Sequence, residues 1–218
     1  VTEDRPVAGP LRPARHWSQS LTLALLAVSV LLAGMLLYNR LINPSSFSGT
    51  AYPSGRMAPA LEGTGEDGQP LSLTDLRGQT VAVFYGFLNC PNICPTTLAA
   101  LERVRQALPA SRRPNFTPLL VSVDPRRDTA AGLKQYVEYF SVGARGLRVP
   151  EAQLKQTVRA WGADVQYVDV KGPRDYQVNH TTGVYLVDAR GRLRVVWDYT
   201  QVTANAARIA QDVLAVMD

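Results

Sequence analysis

The chain has 218 residues and a formal net charge of +5, with 46% hydrophobic and 19% charged residues. That is a globular balance and excludes a disordered polyelectrolyte. Residues 1–56 hold five arginines and two acids, and the other 18 basic and 16 acidic residues leave the rest at only +2. No run of lysine or arginine stands out there, so no nucleic-acid-binding face is expected.

From Ser20 to Tyr38 the sequence SLTLALLAVSVLLAGMLLY carries no charge. As a helix this length rises about 28 Å, close to the roughly 30 Å hydrocarbon core of a bilayer. A buried soluble helix would show a polar face, and this segment has none. A cleavable signal has a shorter apolar region, about 7–15 residues. A transmembrane anchor over 20–38 is therefore expected. The stretch Leu31-Leu32-Ala33-Gly34-Met35 has the pattern of a bacterial lipoprotein box, but Met35 stands where lipidation requires cysteine. Arg5, Arg12 and Arg15 precede the segment, and Arg40 and Arg56 follow it. The positive-inside rule makes 1–19 a cytoplasmic tail and places everything beyond Arg40 outside.

Residues 39–58, rich in proline, glycine and serine, read as a flexible linker. That leaves 59–218 as one domain of ordinary size. Residues 80–88 (TVAVFYGFL) are nearly all apolar and predict a central strand covered on both faces. A helix is expected over 95–108, opened by Pro95, with Leu98, Leu101, Val104 and Leu108 on one face. Residues 116–123 predict a second buried strand, and 129–140 a helix with Asp128 as N-cap. A third helix follows Pro150 over 151–161. Segments 165–170 and 175–178 flank Lys171-Gly172-Pro173 as a hairpin. Strands over 182–188 and 193–199 meet at the turn 189–192, and 203–217 closes the chain as a helix. A β-α-β unit followed by a hairpin and a terminal helix is the α/β layout of a thioredoxin-like sheet.

The two cysteines, Cys90 and Cys94, fall at the carboxyl end of the first central strand. Ligand sites of open α/β sheets gather at that edge. Cys94 lies beside a helix N-terminus, where the dipole stabilises a thiolate. Inert buried cysteines and a short-loop structural disulfide are the alternatives, and a domain of this size needs no such staple. Of the two histidines, His16 precedes the membrane segment, so only His180 is available to the domain. Structural zinc wants four protein ligands. Two thiolates and one imidazole instead make a soft set suited to copper, Cu(I) above all. His180 falls just before the strand 182–188, a neighbour of the first central strand. Met57 could offer a further sulfur, though methionine is far more often packing.

Three segments carry a family resemblance. Phe84-Tyr85-Gly86-Phe87-Leu88-Asn89-Cys90-Pro91-Asn92-Ile93-Cys94-Pro95-Thr96-Thr97-Leu98 resembles the Sco/SenC signature, in which CPxxCPTTL follows an aromatic-glycine strand end. Ser122-Val123-Asp124-Pro125-Arg126-Arg127-Asp128-Thr129 is similar to that family's SVDPxRDT segment, and Asp175-Tyr176-Gln177-Val178-Asn179-His180 to its DYxVxH segment. The resemblance spans roughly 60–218. It implies copper, as Cu(I) or Cu(II), bound by Cys90, Cys94 and His180. It also implies a metallochaperone rather than an enzyme, with the CuA centre of cytochrome c oxidase as recipient and another copper chaperone as a possible partner. The implied compartment is the periplasm, from the bacterial inner membrane, or the mitochondrial intermembrane space. Asn92, Asp124 and Tyr176 are candidate supports of the metal or parts of a partner surface; Asp124 and residues 126–128 also read as shaping a strand-to-helix turn, with a partner surface as the alternative. Asn92 and Asn179 stand where many members have an acid, and Leu88-Asn89 replaces the usual histidine before the first cysteine. Fewer negative charges near a metal favour Cu(I) over Cu(II).

A thiol–disulfide oxidoreductase acting through a Cys90–Cys94 disulfide is the competing reading, with a redox or copper sensor beside it. Against the oxidoreductase, the spacing is C-x₃-C rather than C-x-x-C. The last proline is Pro173, so no proline precedes the strand that would face the cysteines.

Overall fold

The structure, a computed structural model, describes residues 17–42 and 47–217. Val1–Ser46 and Phe47–Asp218 form two separate compact units. The first contains helix α1 (Trp17–Ile42). Its stretch Ser20–Tyr38 is long and apolar enough to cross a membrane. The side chains of that stretch are exposed, an apolar cylinder suited to a hydrocarbon solvent. The expected tail lies mostly outside the described residues.

The second unit contains, in chain order, β1 (Thr50–Met57), β2 (Glu62–Gly65), β3 (Pro70–Ser72), β4 (Thr80–Gly86), α2 (Ile93–Ala107), β5 (Phe116–Ser122), α3 (Ala130–Phe140) and β6 (Arg145–Arg148). There follow α4 (Glu151–Ala160), β7 (Val165–Val168), β8 (Gln177–His180), β9 (Val184–Val187), β10 (Arg192–Trp197), α5 (Tyr199–Ala204) and α6 (Ala206–Met217). Eight strands form one sheet in the order β1-β10-β9-β4-β5-β6-β2-β3, and β7-β8 is a separate ribbon. β4 and β5 run parallel from Thr80↔Phe116 to Gly86↔Ser122, and every residue of both is buried. Their largely apolar sequence, broken by Thr80, Thr117 and Ser122, follows from that double cover. Ala82, Phe84 and Leu120 pack on one face with Leu98, Leu101 and Val104 of α2, Leu133 of α3 and Ile209 of α6. Val83, Tyr85 and Val121 pack on the other with Leu154 and Val158 of α4, Trp161 and Tyr176.

Several expectations are corrected. Residues 50–57, read as linker, form an edge strand antiparallel to β10, with Thr50↔Val196 and Met57↔Arg192 and an irregularity between Ala51 and Arg56. Pro53 and Gly55 mimic a linker, yet an edge strand tolerates both because one side of its backbone has no partner. The chain is held still earlier: Ser48 N–H and Trp197 Nε1–H donate to buried Asp212 at 2.8 and 2.9 Å. β2, β3 and β6 are too short, at three or four residues, to show a periodicity. The closing helix is two helices, because Asp198 and Gln201 form a capping box that starts α5 early. The N-cap of α3 is Thr129, whose Oγ1 accepts from Gly132 N–H at 3.0 Å, and not Asp128.

Candidate metal centre

β4 ends at Gly86, and the chain turns so that Cys90 N–H donates to Phe87 O at 3.2 Å. α2 then begins at Ile93, which makes Cys94 its second residue and Pro95 its third. Pro95 was expected first; it still lies in the opening turn, where backbone N–H groups have no helical acceptor. Cys94 is buried and Cys90 half-buried. An added Cβ at Gly86 would lie 2.8 Å from Cys94 Sγ and 2.9 Å from Leu120 Cδ1. Only glycine leaves room for the sulfur at the strand end. Gly86→Ala is expected to displace Cys94 and cost about 1–3 kcal/mol in denaturant unfolding, with weaker metal binding; unchanged stability would show the neighbours yield freely.

His180 ends β8 and sits opposite Val165 of β7. Its Nδ1 lies 2.9 Å from the carbonyl oxygen of Thr181. A carbonyl only accepts, so the ring proton resides on Nδ1 and the Nε2 lone pair is free. Nε2 stands 3.9 Å from Cys94 Sγ, and Phe87 packs edge-on against the ring at 5.7 Å. The donor atoms of Cys90, Cys94 and His180 all lie within 4.8 Å of one another. Bonds of about 2.0 Å to nitrogen and 2.3 Å to sulfur at trigonal angles would separate two donors by roughly 3.7 Å. The residues present therefore fit a soft metal ion with little movement.

The cysteines divide one proton between them. A hydrogen bond from Cys94 pulls the Cys90 thiol down to about 4 against the effect of burial, helped by the backbone N–H groups of Cys94 and Asn92. Cys94 N–H reaches Cys90 Sγ at 3.4 Å. The same sulfur–sulfur bond, with burial, pushes Cys94 up. In the metal-free chain Cys90 is thus the thiolate and Cys94 the thiol.

Two buried carboxylates brace the site. Asp124, 0% exposed, accepts from Tyr176 Oη and pairs with Arg127. Arg127 also donates Nη1–H to Tyr176 O at 3.0 Å, and its guanidinium lies 4.0 Å from the Tyr176 ring centre and 6.0 Å from that of Phe87. The strand-to-helix turn is thereby clamped to the segment leading into β8 and His180. Burial removes Asp124 and Tyr176 from any partner surface. Asn92 is the exposed N-cap of α2, its side chain accepting from Thr96 Oγ1 at 3.3 Å. Met57 pairs with Arg192 at the far end of the sheet from Cys90 and supplies no ligand.

Asp128 accepts from Ser122 Oγ at 2.6 Å and, through both oxygens, from Leu88 N–H at 3.3 Å. It holds the loop that leads to Cys90. Burial pushes its carboxyl up to about 6, against the bonds from Ser122 and Leu88. A carboxyl raised above its unfolded value favours folding most below that value, and the benefit is lost as pH rises through the folded one. Asp128→Asn is expected to flatten the pH dependence of Tm between about pH 4 and 6; a profile matching the parent would remove Asp128 as its source. From sequence, Gly86 and Phe87 stand only within a family motif, and Arg127 and Asp128 only as shaping a turn or as part of a partner surface. Gly86 had a readable signal, a glycine closing an otherwise β-branched and aromatic strand. The Thr181 carbonyl, being backbone, had none.

Residues 51–218 match the SCO1/SenC family. The chain belongs to that family. A candidate copper-binding protein of Stutzerimonas stutzeri is 38% identical over 65% of this chain and 69% of its own length. The mitochondrial SCO2 homolog of Bos taurus is 34% identical over 64% of this chain and 52% of its own. The chain therefore spans between about half and two thirds of these curated relatives. The solved apo Sco1 of Thermus thermophilus is similar at 29% identity and a TM-score of 0.72, covering 79% of this chain and 98% of that one. ScoI of Bradyrhizobium japonicum, solved with copper bound, is similar at 25% identity and a TM-score of 0.66, covering 74% and 100%. The thioredoxin domain of a Bacteroides vulgatus thiol-disulfide oxidoreductase, at 19% identity and a TM-score of 0.51 over 75% of this chain and 97% of that one, shares the fold alone. This SCO1/SenC member is thus a thioredoxin-like α/β unit with an N-terminal helix of membrane-spanning length.

Proposed function

We propose that this SCO1/SenC member is a membrane-anchored copper chaperone. It carries one copper ion on Cys90 Sγ, Cys94 Sγ and His180 Nε2 and delivers it to the copper-bearing subunit of cytochrome c oxidase, at the CuA centre. The observation that carries the reading is the convergence of these three donors within 4.8 Å, with the histidine proton held on the far ring nitrogen. Two sulfurs and an imidazole suit copper, and the half-buried Cys90 leaves the cargo reachable by a recipient's ligands. The relatives' copper-bearing names and structures support the same metal. The helix Ser20–Tyr38 would anchor the chain in the bacterial inner membrane with the globular unit in the periplasm, following the arginine distribution. The mitochondrial inner membrane, facing the intermembrane space, is the alternative that the mitochondrial relatives support.

One observation favours a second reading: a half-buried Cys90 thiolate beside a buried Cys94 thiol. Cys90 would attack a disulfide of the recipient, forming a mixed disulfide and releasing one recipient thiolate. Cys94 would then displace the second, leaving a Cys90–Cys94 disulfide and a reduced recipient. The copper-loaded full chain, mixed with a copper-free, pre-reduced recipient subunit, separates the two. Copper appearing in the recipient supports delivery. No transfer, with loss of the recipient's disulfide when it is supplied oxidised, supports the reductase and ends the first reading.

A further inference from the structure

The fold collects at one end of the sheet arginines that the sequence scatters. β4 and β5 start side by side at Thr80↔Phe116, β9 ends beside β4 at Val81↔Val187, and Cys90 follows the opposite end of β4. The starting end is therefore the one remote from the Cys–His site. A cavity of about 550 Å³ opens there, lined by Arg105, Arg113 and Arg145 together with Gln79, Phe116 and Val142, and among the described residues no carboxylate lines it. Glu102 holds Arg105 and Glu66 holds Arg145. Arg113 is different. It donates Nε–H to Leu108 O at 3.0 Å and Nη2–H to Gln106 O at 2.8 Å, and among the described residues no acid pairs with it. Carbonyl acceptors orient a guanidinium without cancelling its charge, so Arg113 presents a fixed cation to the cavity. Val142, which lines the same cavity, is 70% exposed.

We propose that this end of the sheet is a docking surface for an acidic segment of a partner protein. The segment sets a carboxylate against Arg113 and an apolar side chain against Val142. Free phosphate or a small carboxylate would neutralise Arg113 but leave Val142 in water. A bilayer offers a flat array of charge, whereas a flexible segment reaches into a cavity. Docking at this end leaves the Cys–His face uncovered, so a partner is held while the opposite end stays open to metal exchange.

The test is fluorescence anisotropy of the full chain in neutral detergent with a labelled synthetic peptide alternating glutamate and leucine. Saturable binding is expected, weakened at least about tenfold by Arg113→Glu and by Val142→Glu, with Cu(I) binding unchanged in both variants. Val142 is exposed, so its variant keeps the test valid if Arg113→Glu fails to fold. Absence of saturable binding by the parent chain, or equal binding by Val142→Glu, overturns the proposal. So does displacement of the peptide by millimolar inorganic phosphate, or by phosphatidylglycerol mixed into the detergent, with Val142→Glu binding as the parent does. That result would assign the cavity to a small anion or a lipid headgroup.

Discussion

Replacing His180 with alanine is expected to weaken Cu(I) binding by the reduced full chain at least about a hundredfold, the upper end of what loss of a mere supporting group costs. The reasoning starts at the backbone. Thr181 O holds the ring proton on Nδ1, which commits Nε2 to the side of the ring that faces Cys94 Sγ at 3.9 Å. Phe87, edge-on at 5.7 Å, packs against the ring. Alanine leaves two sulfurs and, among the described residues, no third donor, so anaerobic competition against a chelator should read the loss directly. Exchange of a Cys90–Cys94 disulfide with a small thiol should persist, because neither sulfur has moved. Copper binding at parental affinity would remove His180 from the ligand set. Collapse of both properties together would assign it to the thiol chemistry instead.

Arg127→Ala is expected to destabilise the globular unit by about 3–5 kcal/mol, the usual cost of stripping one partner from a buried ion pair. Asp124 is wholly buried and, among the described residues, would keep only the Tyr176 hydroxyl as a charge-compensating donor from a side chain. The effect should also be local. Arg127 covers the Tyr176 ring and donates to the Tyr176 carbonyl, so its loss frees the strand that ends at His180. Urea unfolding measures the first effect, and hydrogen exchange over 177–180 the second. Tyr176→Phe removes one hydrogen bond to a charged acceptor and should cost less, about 1.5–3 kcal/mol. A loss under about 1 kcal/mol for Arg127→Ala would show that solvent, rather than this clamp, compensates Asp124.

The copper-facing chemistry was readable before any fold because it rests on residue types and local spacing. Cys90 and Cys94 sit four apart at a strand–helix junction, and one histidine is available beyond the membrane segment. Their companions were harder to read. Asp128 looked like an N-cap because an acid before a helix usually is one; Thr129 caps α3 and leaves Asp128 to bind Leu88 and Ser122. β1 was hidden because prolines and glycines that suit an unpaired strand edge also suit a tether.

By itself the sequence determined the elements whose signal is local. These are the uncharged 20–38 segment, the doubly buried strands β4 and β5, the amphipathic helices, and the Cys–Cys–His trio with its family motifs. Tertiary structure alone decided which distant groups meet. It brought Arg127 and Asp124 to Tyr176, placed Gly86 under Cys94 Sγ, and gathered Arg105, Arg113 and Arg145 around one cavity. The physical reason is that parallel strands return each loop to the same end of the sheet. Residues tens of positions apart become neighbours there, and no periodicity along the chain records it.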